Sequence, residues 1–209
     1  MKIKRIIDIS RKIHNSMAVW PRDDLVKMET VESIACRISS IRMSLHTGTH
    51  IDAPIHFVKN GKSILDIDLY NFLGYAKIFD LSKVEKEISC DDIKKIAIEE
   101  DDVIFFKTRN SSYSYDDGFR KDYVYISAEA AEMLAGKKIK TIGVDYFSVG
   151  GYNSSNTEVH KTFLYKDIGI IEGLDLSNVD EGKYFFSCLP LKIDGADGTP
   201  ARAVLVEFY

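Results

Sequence analysis

Seven short stretches rich in β-branched and aromatic residues recur along the chain, at 3–9, 77–81, 103–107, 141–144, 169–171, 183–189 and 203–208. Runs of that length and composition predict strands buried in a sheet. Helices are predicted between them. Ser89 heads residues 91–98 and Ser127 heads residues 128–135 before Gly136, each supplying a capping hydroxyl to a helically spaced apolar face. Around residue 41 the pattern changes to strict alternation: Ile41, Met43 and Leu45 are apolar, while Arg42, Ser44 and His46 are polar. That period predicts a strand carrying His46 on its polar face. Residues 111–118 are rich in Ser, Asn, Asp and Gly and read as a loop tip that buries little. Residues 99–102 and 136–138 read as solvated connections.

Strands and helices therefore mix, giving an α/β class. With 4 prolines, 13 glycines, no linker and no visible repeat, the 209 residues are expected to form a single domain, 1–209. Hydrophobic residues at 45% and charged residues at 29% exclude a disordered or coiled-coil chain. A formal charge of −4 excludes the basic footprint of a nucleic-acid binder. Lys2, Lys4 and Arg5 are followed by no apolar run of signal-peptide length, and no stretch of about 18 apolar residues occurs, so a cytoplasmic location without a membrane span is expected. Cys36, Cys90 and Cys188 are odd in number and far apart, which argues against disulfides and thiolate metal sites and leaves them as packing residues. None has the context of a nucleophile, which counts against a thiol hydrolase.

Chemistry concentrates in His46-Thr-Gly-Thr-His50-Ile-Asp52-Ala-Pro54-Ile-His56, which holds three of the five histidines. Gly48, Thr49, Asp52 and Pro54 are poor helix formers, which counts against a helical His-x-x-x-His pair. His46, His50, Asp52 and His56 all have even numbers, so an extended chain puts them on one side. Four extended residues span ~13 Å and metal–ligand bonds only ~2 Å, so the segment must bend, and Gly48 and Pro54 are the residues placed to bend it. Imidazoles with a carboxylate suit zinc, with manganese or iron as alternatives; a turn bearing surface histidines is the competing reading. Further ligands have to come from elsewhere. Asn156 is predicted to cap a helix over 157–166 that puts His160 at the edge of an apolar face, where a packed structural histidine is the alternative. Glu172 follows Ile170 and Ile171, where burial costs several kcal/mol unless the carboxylate is paired or metal-bound; a strand end in water is the alternative.

These residues resemble the metal-dependent cyclase family, which includes bacterial kynurenine formamidase and isatin hydrolase. The His46-x-Gly-Thr-His50-x-Asp52-Ala-Pro-x-His56 signature carries the resemblance. It extends to Trp20-Pro21, Gly143-Val-Asp145 with Ser148, Val159-His160, Ile170-Ile-Glu172-Gly-Leu174, and Leu189-Pro-Leu191 through Gly195-Ala-Asp-Gly-x-Pro200-x-Arg202-Ala203. The resemblance implies a mixed α/β domain of the swivelling β/β/α type, assembled as a homodimer or larger oligomer. It implies two divalent ions per subunit, zinc in preference to manganese, with His46 and His50 on one ion, Asp52 and Glu172 bridging, and His160 completing the second site. His56 is then the proton donor and acceptor, and Trp20 lines the substrate pocket. The implied activity is hydrolysis of a small-molecule amide, with N-formyl-L-kynurenine of tryptophan degradation leading and a cyclic amide such as isatin, or another small carbonyl compound, as alternative. Glu172 favours two ions over the isatin hydrolase pattern, which has Gln there. Two departures from the formamidase pattern stand near the inferred pocket: Arg22 where Gly is usual and Lys161 where many members have a second histidine. A metal-stabilised binding protein without catalysis is the reading from another class.

Overall fold

A computed structural model describes residues 2–152 and 155–209. The N-terminal strand β1 (Ile3–Asp8) is followed by a ribbon of β2 (Lys27–Glu32) and β3 (Arg37–Arg42), then by β4 (His50–Asp52), β5 (Leu73–Asp80) and the short β6 (Glu87–Ile88). Helix α1 (Cys90–Ile93), β7 (Val103–Lys107), β8 (Tyr125–Ile126), α2 (Ala128–Gly136), β9 (Thr141–Val144), α3 (Asn156–Leu164) and β10 (Gly169–Glu172) form the middle of the chain. Strands β11 (Gly182–Ser187), β12 (Gly198–Pro200) and β13 (Val204–Phe208) end it. Nine strands make one mixed sheet in the order β1-β13-β11-β5-β7-β9-β10-β4-β12. Its centre, β5 to β10, is parallel, because β7 reaches β9 through α2 and β9 reaches β10 through α3.

Alternation in the central strands builds two cores. Ile104, Phe106, Ile142, Val144 and Ile170 meet α2 and α3 on one face, while Val103, Phe105 and Ile171 meet Ile7, Ile51, Phe186 and Leu205 on the other. Both faces of these strands are buried, which explains why they read as continuous apolar runs. This mixed α/β arrangement agrees with the expected class.

Several expectations need correcting. Helix α1 ends at Ile93 rather than 98; Ile96 and Ile98 are two apart, and the chain unwinds so that Ile98 can be buried ahead of β7. The alternation at 41–46 is not one strand: β3 ends at Arg42, Ile41 pairs with Met28 in an exposed ribbon, and His46 lies in the turns that follow. Residues 111–118 are not a bare tip. Short 3₁₀ turns at Arg109–Ser112 and Tyr115–Asp117 bury Asn110, Ser111 and Tyr115. The reason is Asp145, whose carboxylate accepts from Thr108 N (2.7 Å), Thr108 Oγ1 (2.8 Å), Ser111 N (3.0 Å) and Ser111 Oγ (2.7 Å). Of the cysteines, Cys188 is packed, its thiol pushed up to about 12 by burial, whereas Cys36 is exposed beyond β2. No helix among the described residues is long and apolar enough to cross a membrane.

Candidate metal centre and active site

The site begins with strand register. Antiparallel pairing of β4 with β10 sets His50 opposite Glu172 and Ile51 opposite Ile171. Directly opposed residues share a face, so the isoleucines enter the core on one side while His50, Asp52 and Glu172 emerge on the other, beneath α3. His160 comes down from that helix. The even-number parity thus holds for His50 and Asp52, which are extended, and fails for the rest. Gly48, at φ +70°, turns the chain before β4, and Pro54 opens a 3₁₀ turn, Pro54–His56, that brings His56 back over the site. The bends stand where the sequence placed them. Gly173, also left-handed at φ +70°, lies so close to Gly48 that a Cβ would sit 2.2 Å from its carbonyl oxygen.

The rings are aimed through their Nδ1 atoms. His50 Nδ1 faces the carbonyl of Gly48 at 3.0 Å and His160 Nδ1 that of Asn156 at 2.7 Å. A carbonyl only accepts, so each ring donates there and presents Nε2 to the interior. His160 Nε2 lies 3.1 Å from Glu172 Oε1 and 3.4 Å from Asp52 Oδ2; His50 Nε2 lies 3.3 Å from Glu172 Oε2 and 3.4 Å from Asp52 Oδ1. His46 Nδ1 lies 2.9 Å from Asp52 Oδ1. Val149 N donates to Glu172 Oε1 at 2.7 Å, and Phe57 stacks on the His160 ring with centroids 4.2 Å apart. Asn156 does not cap α3: Ser155 holds that position, and the Asn156 side chain accepts from Ser148 Oγ instead. Glu172, at 3% exposure, is no strand end in water, and His160, at 2%, is packed and also part of the polar cluster.

Burial opposes charge on every one of these groups, yet their mutual attraction outweighs it. Against that cost, the Asp197 and Asp52 carboxylates raise His46 to about 9, and Asp52 with Glu172 raise His50 and His160 to about 10. The imidazoles in turn hold Asp52 well below the ordinary carboxylate range and bring Glu172 down despite burial and the nearby Asp52 charge. The same negative potential would attract a divalent cation in place of protons. The donor set fits one. Among the described residues, His46 Nε2, His50 Nε2 and Asp52 Oδ2 are buried without an aligned hydrogen bond, although carboxylate or ring atoms approach within 3.4 Å. Atoms converging on a point rather than on each other are what a metal requires. Among the described residues, two groups of three have ligand atoms within 4.8 Å of one another, His46–Asp52–His56 and His50–Asp52–Glu172, and they share Asp52.

His56 stacks on His46 with centroids 4.0 Å apart, and its Nδ1 hydrogen-bonds Asp197 Oδ2 at 3.3 Å. Burial lowers its pKa, favouring the neutral ring. Asp197, brought down to about 2 chiefly by the adjacent His46 ring, is the residue that motif reading missed as a participant. It lies within the quoted Gly195-to-Arg202 block, but nothing in spacing says that the loop before β12 folds over two histidines. A cavity of about 250 Å³ is lined by Trp20, Asp23, His46, His50, His56, Phe57, Phe147, Ser148, Asn156, His160 and Glu172. Trp20 therefore reaches the cavity, backed by Phe119 and Tyr152. Lys161 does not; it lines a separate groove with Glu132 and Thr157, because the residue after His160 on a helix points about 100° away. Arg22 is exposed, in a left-handed conformation at φ +87°.

A family model described as "Putative cyclase" matches residues 7–150. Kynurenine formamidase of Bacillus anthracis is 35% identical over 209 residues, covering 98% of this chain and 99% of the relative, and that of Bacillus cytotoxicus is 34% identical with the same coverage. A solved structure described as a "Potential Metal-Dependent Hydrolase With Cyclase Activity" superposes with a TM-score of 0.88 at 36% identity, covering 98% of each chain. Isatin hydrolase A from Labrenzia aggregata has a TM-score of 0.82 at 23% identity, covering 97% of this chain and 93% of that one, and shares the fold.

Proposed function

The chain belongs to the cyclase family, and from that membership we propose that its 209 residues act as one metal-dependent amidohydrolase domain, with N-formyl-L-kynurenine as the leading substrate and kynurenine and formate as products. One observation carries this reading: His160 and Glu172, more than 100 residues from the histidine motif, have side chains within 3.4 Å of His50 and Asp52. His46 and His50 would hold one ion, Asp52 and Glu172 would bridge, and His160 would complete the second. Nitrogen and oxygen donors without thiolate suit zinc, with manganese as the alternative. When bound, such ions supply Lewis-acid polarisation of the amide carbonyl and a water acidified for attack near neutral pH.

The protein's own groups perform the proton transfers. With His56 Nδ1 held by Asp197, Nε2 is the atom free to take a proton from the attacking water and return it to the departing anilide nitrogen. Anilide is a poor leaving group until protonated, so this delivery governs collapse of the tetrahedral adduct. Trp20 offers an aryl ring a flat apolar partner.

We read the protein as cytoplasmic and as a homodimer or larger assembly. The β2–β3 ribbon is exposed at every residue, with Val31 and Ile38 paired on one face and Met28 and Ile41 on the other. A two-stranded hairpin alone is marginal in water, which supports a second copy covering it.

The test is metal analysis together with formate and kynurenine release from N-formylkynurenine, with formanilide and isatin as comparison substrates. His56→Ala is expected to retain metal while losing ~10² to 10⁴ in turnover. Absence of divalent metal, with no hydrolysis after zinc or manganese is added, refutes the reading. Loss of metal and stability in step with activity supports a structural histidine instead.

A further inference from the structure

Three carboxylates at the site, Asp52, Glu172 and Asp197, are matched to imidazoles. Asp23 lines the same cavity, and among the described residues its carboxylate has no hydrogen bond or ion pair. Among the described residues its sequence neighbour Arg22 makes no ion pair with it, and Arg42 binds the adjacent Asp24 at 2.9 Å. Asp23 is also held in place. Its N–H donates to Trp20 O at 3.0 Å across a turn with Pro21 second and Arg22 third at φ +87°, a type II arrangement. A non-glycine residue there is strained and persists only where the surroundings over-determine it. The turn thus fixes an indole and an uncompensated carboxylate at its two ends, both on the cavity.

We propose that Asp23 is a specificity-determining residue that receives a primary ammonium group of the substrate. The inference rests on the amidohydrolase reading and narrows it to acylated aryl amines that carry a cationic side chain, in preference to neutral ring amides. An ammonium must be kept from a site that itself holds cations. A carboxylate beside the Trp20 face gives it a separate seat, with the indole adding cation–π attraction.

The experiment compares kcat/KM for N-formylkynurenine and its desamino analogue, identical except for the ammonium group, in metal-loaded wild type, D23N and D23E, with metal content measured in each. Wild type is expected to prefer the ammonium substrate by ~10- to 100-fold, expressed in KM, as hydrogen bonds to charged groups usually are worth. D23N should bring that ratio towards unity at unchanged metal content, and D23E should restore part of it. An unchanged ratio in D23N overturns the proposal while leaving the hydrolase reading intact, and loss of metal in D23N overturns it by making Asp23 a ligand. Failure of every protein to hydrolyse either compound counts against the hydrolase reading, and calorimetric titration with kynurenine and desaminokynurenine then decides Asp23 alone: equal affinities in wild type refute it.

Discussion

Gly198 is the most informative single position in the site. A Cβ built there would stand 2.5 Å from His46 Cε1 and 3.0 Å from each ring nitrogen, whereas carbon atoms in contact prefer ~3.5–4.0 Å. Gly198→Ala therefore requires the ring to retreat by about 1 Å. His46 has little room to do so, because it stacks on His56 at 4.0 Å and its Nδ1 sits 2.9 Å from Asp52 Oδ1. A bound metal tolerates ligand displacements of only ~0.2 Å. The added methyl should lower metal affinity by at least ~10-fold, comparable to loss of a group that orients a ligand. Overpacking itself should cost ~1–3 kcal/mol. At ~2–4 °C per kcal/mol for a chain of this size, the metal-free melting temperature should fall by about 2–12 °C. Chelator competition reads the first quantity and thermal unfolding in excess chelator the second. Gly136→Ala, where no atom lies within 4 Å of the added Cβ, is the control and should be neutral or slightly stabilising. Wild-type metal affinity in Gly198→Ala would refute the placement of His46 as a ligand.

Metal uptake by the ion-free protein at pH 7 should release protons, one each from His46, His50 and His160, since their rings titrate at about 9 to 10; affinity should then fall as pH is lowered, and calorimetry in buffers of different ionisation heat measures the proton count. Asp145→Ala strands Thr108 N–H and O–H and Ser111 N–H and O–H in the interior, so it should cost ~2–5 kcal/mol in a urea unfolding series. Asp8 is opposed by burial but held below its ordinary pKa by Arg202 and Ser10. A depressed carboxylate contributes stability above its unfolded pKa of ~4 and loses it as pH falls through the folded value; Arg202→Gln should therefore destabilise slightly at pH 7 and not at pH 2, as read by denaturant midpoints at the two pH values.

The strands were legible where burial acts on both faces. Residues 103–107 and 141–144 match β7 and β9 end to end, because a parallel central strand is covered on both faces and so reads as a near-continuous apolar run. Legibility fails where a partner supplies the reason for a residue. Ile41 looks like the start of a half-buried strand, yet it belongs to a ribbon whose apolar residues Met28, Val31, Ile38 and Ile41 are all exposed. Ser111 and Asn110 look like turn residues, and they are; what their composition cannot reveal is that they turn around a buried carboxylate 34 residues downstream.

The site divides along the same line. His50 and Asp52 were legible as a pair because strand periodicity acts over two residues, and the bends at Gly48 and Pro54 because backbone preference is local. Beyond that range, parity grouped His46 and His56 with the others for an incomplete reason, since turns and not an extended strand bring them beside Asp52 and Asp197. Glu172 could be placed only by the register of β10 against β4, and register is set by which isoleucine faces which core. Ile171 and Ile51 therefore act as positioning residues for the chemistry: a slip of one residue would turn Glu172 into the apolar core and take a carboxylate from both imidazoles it faces. Asp197 and Asp23 fall outside local rules altogether, as each enters through a loop. What residue type and short spacing specify is the donor set, and what long-range packing specifies is which carboxylates are left uncompensated around it.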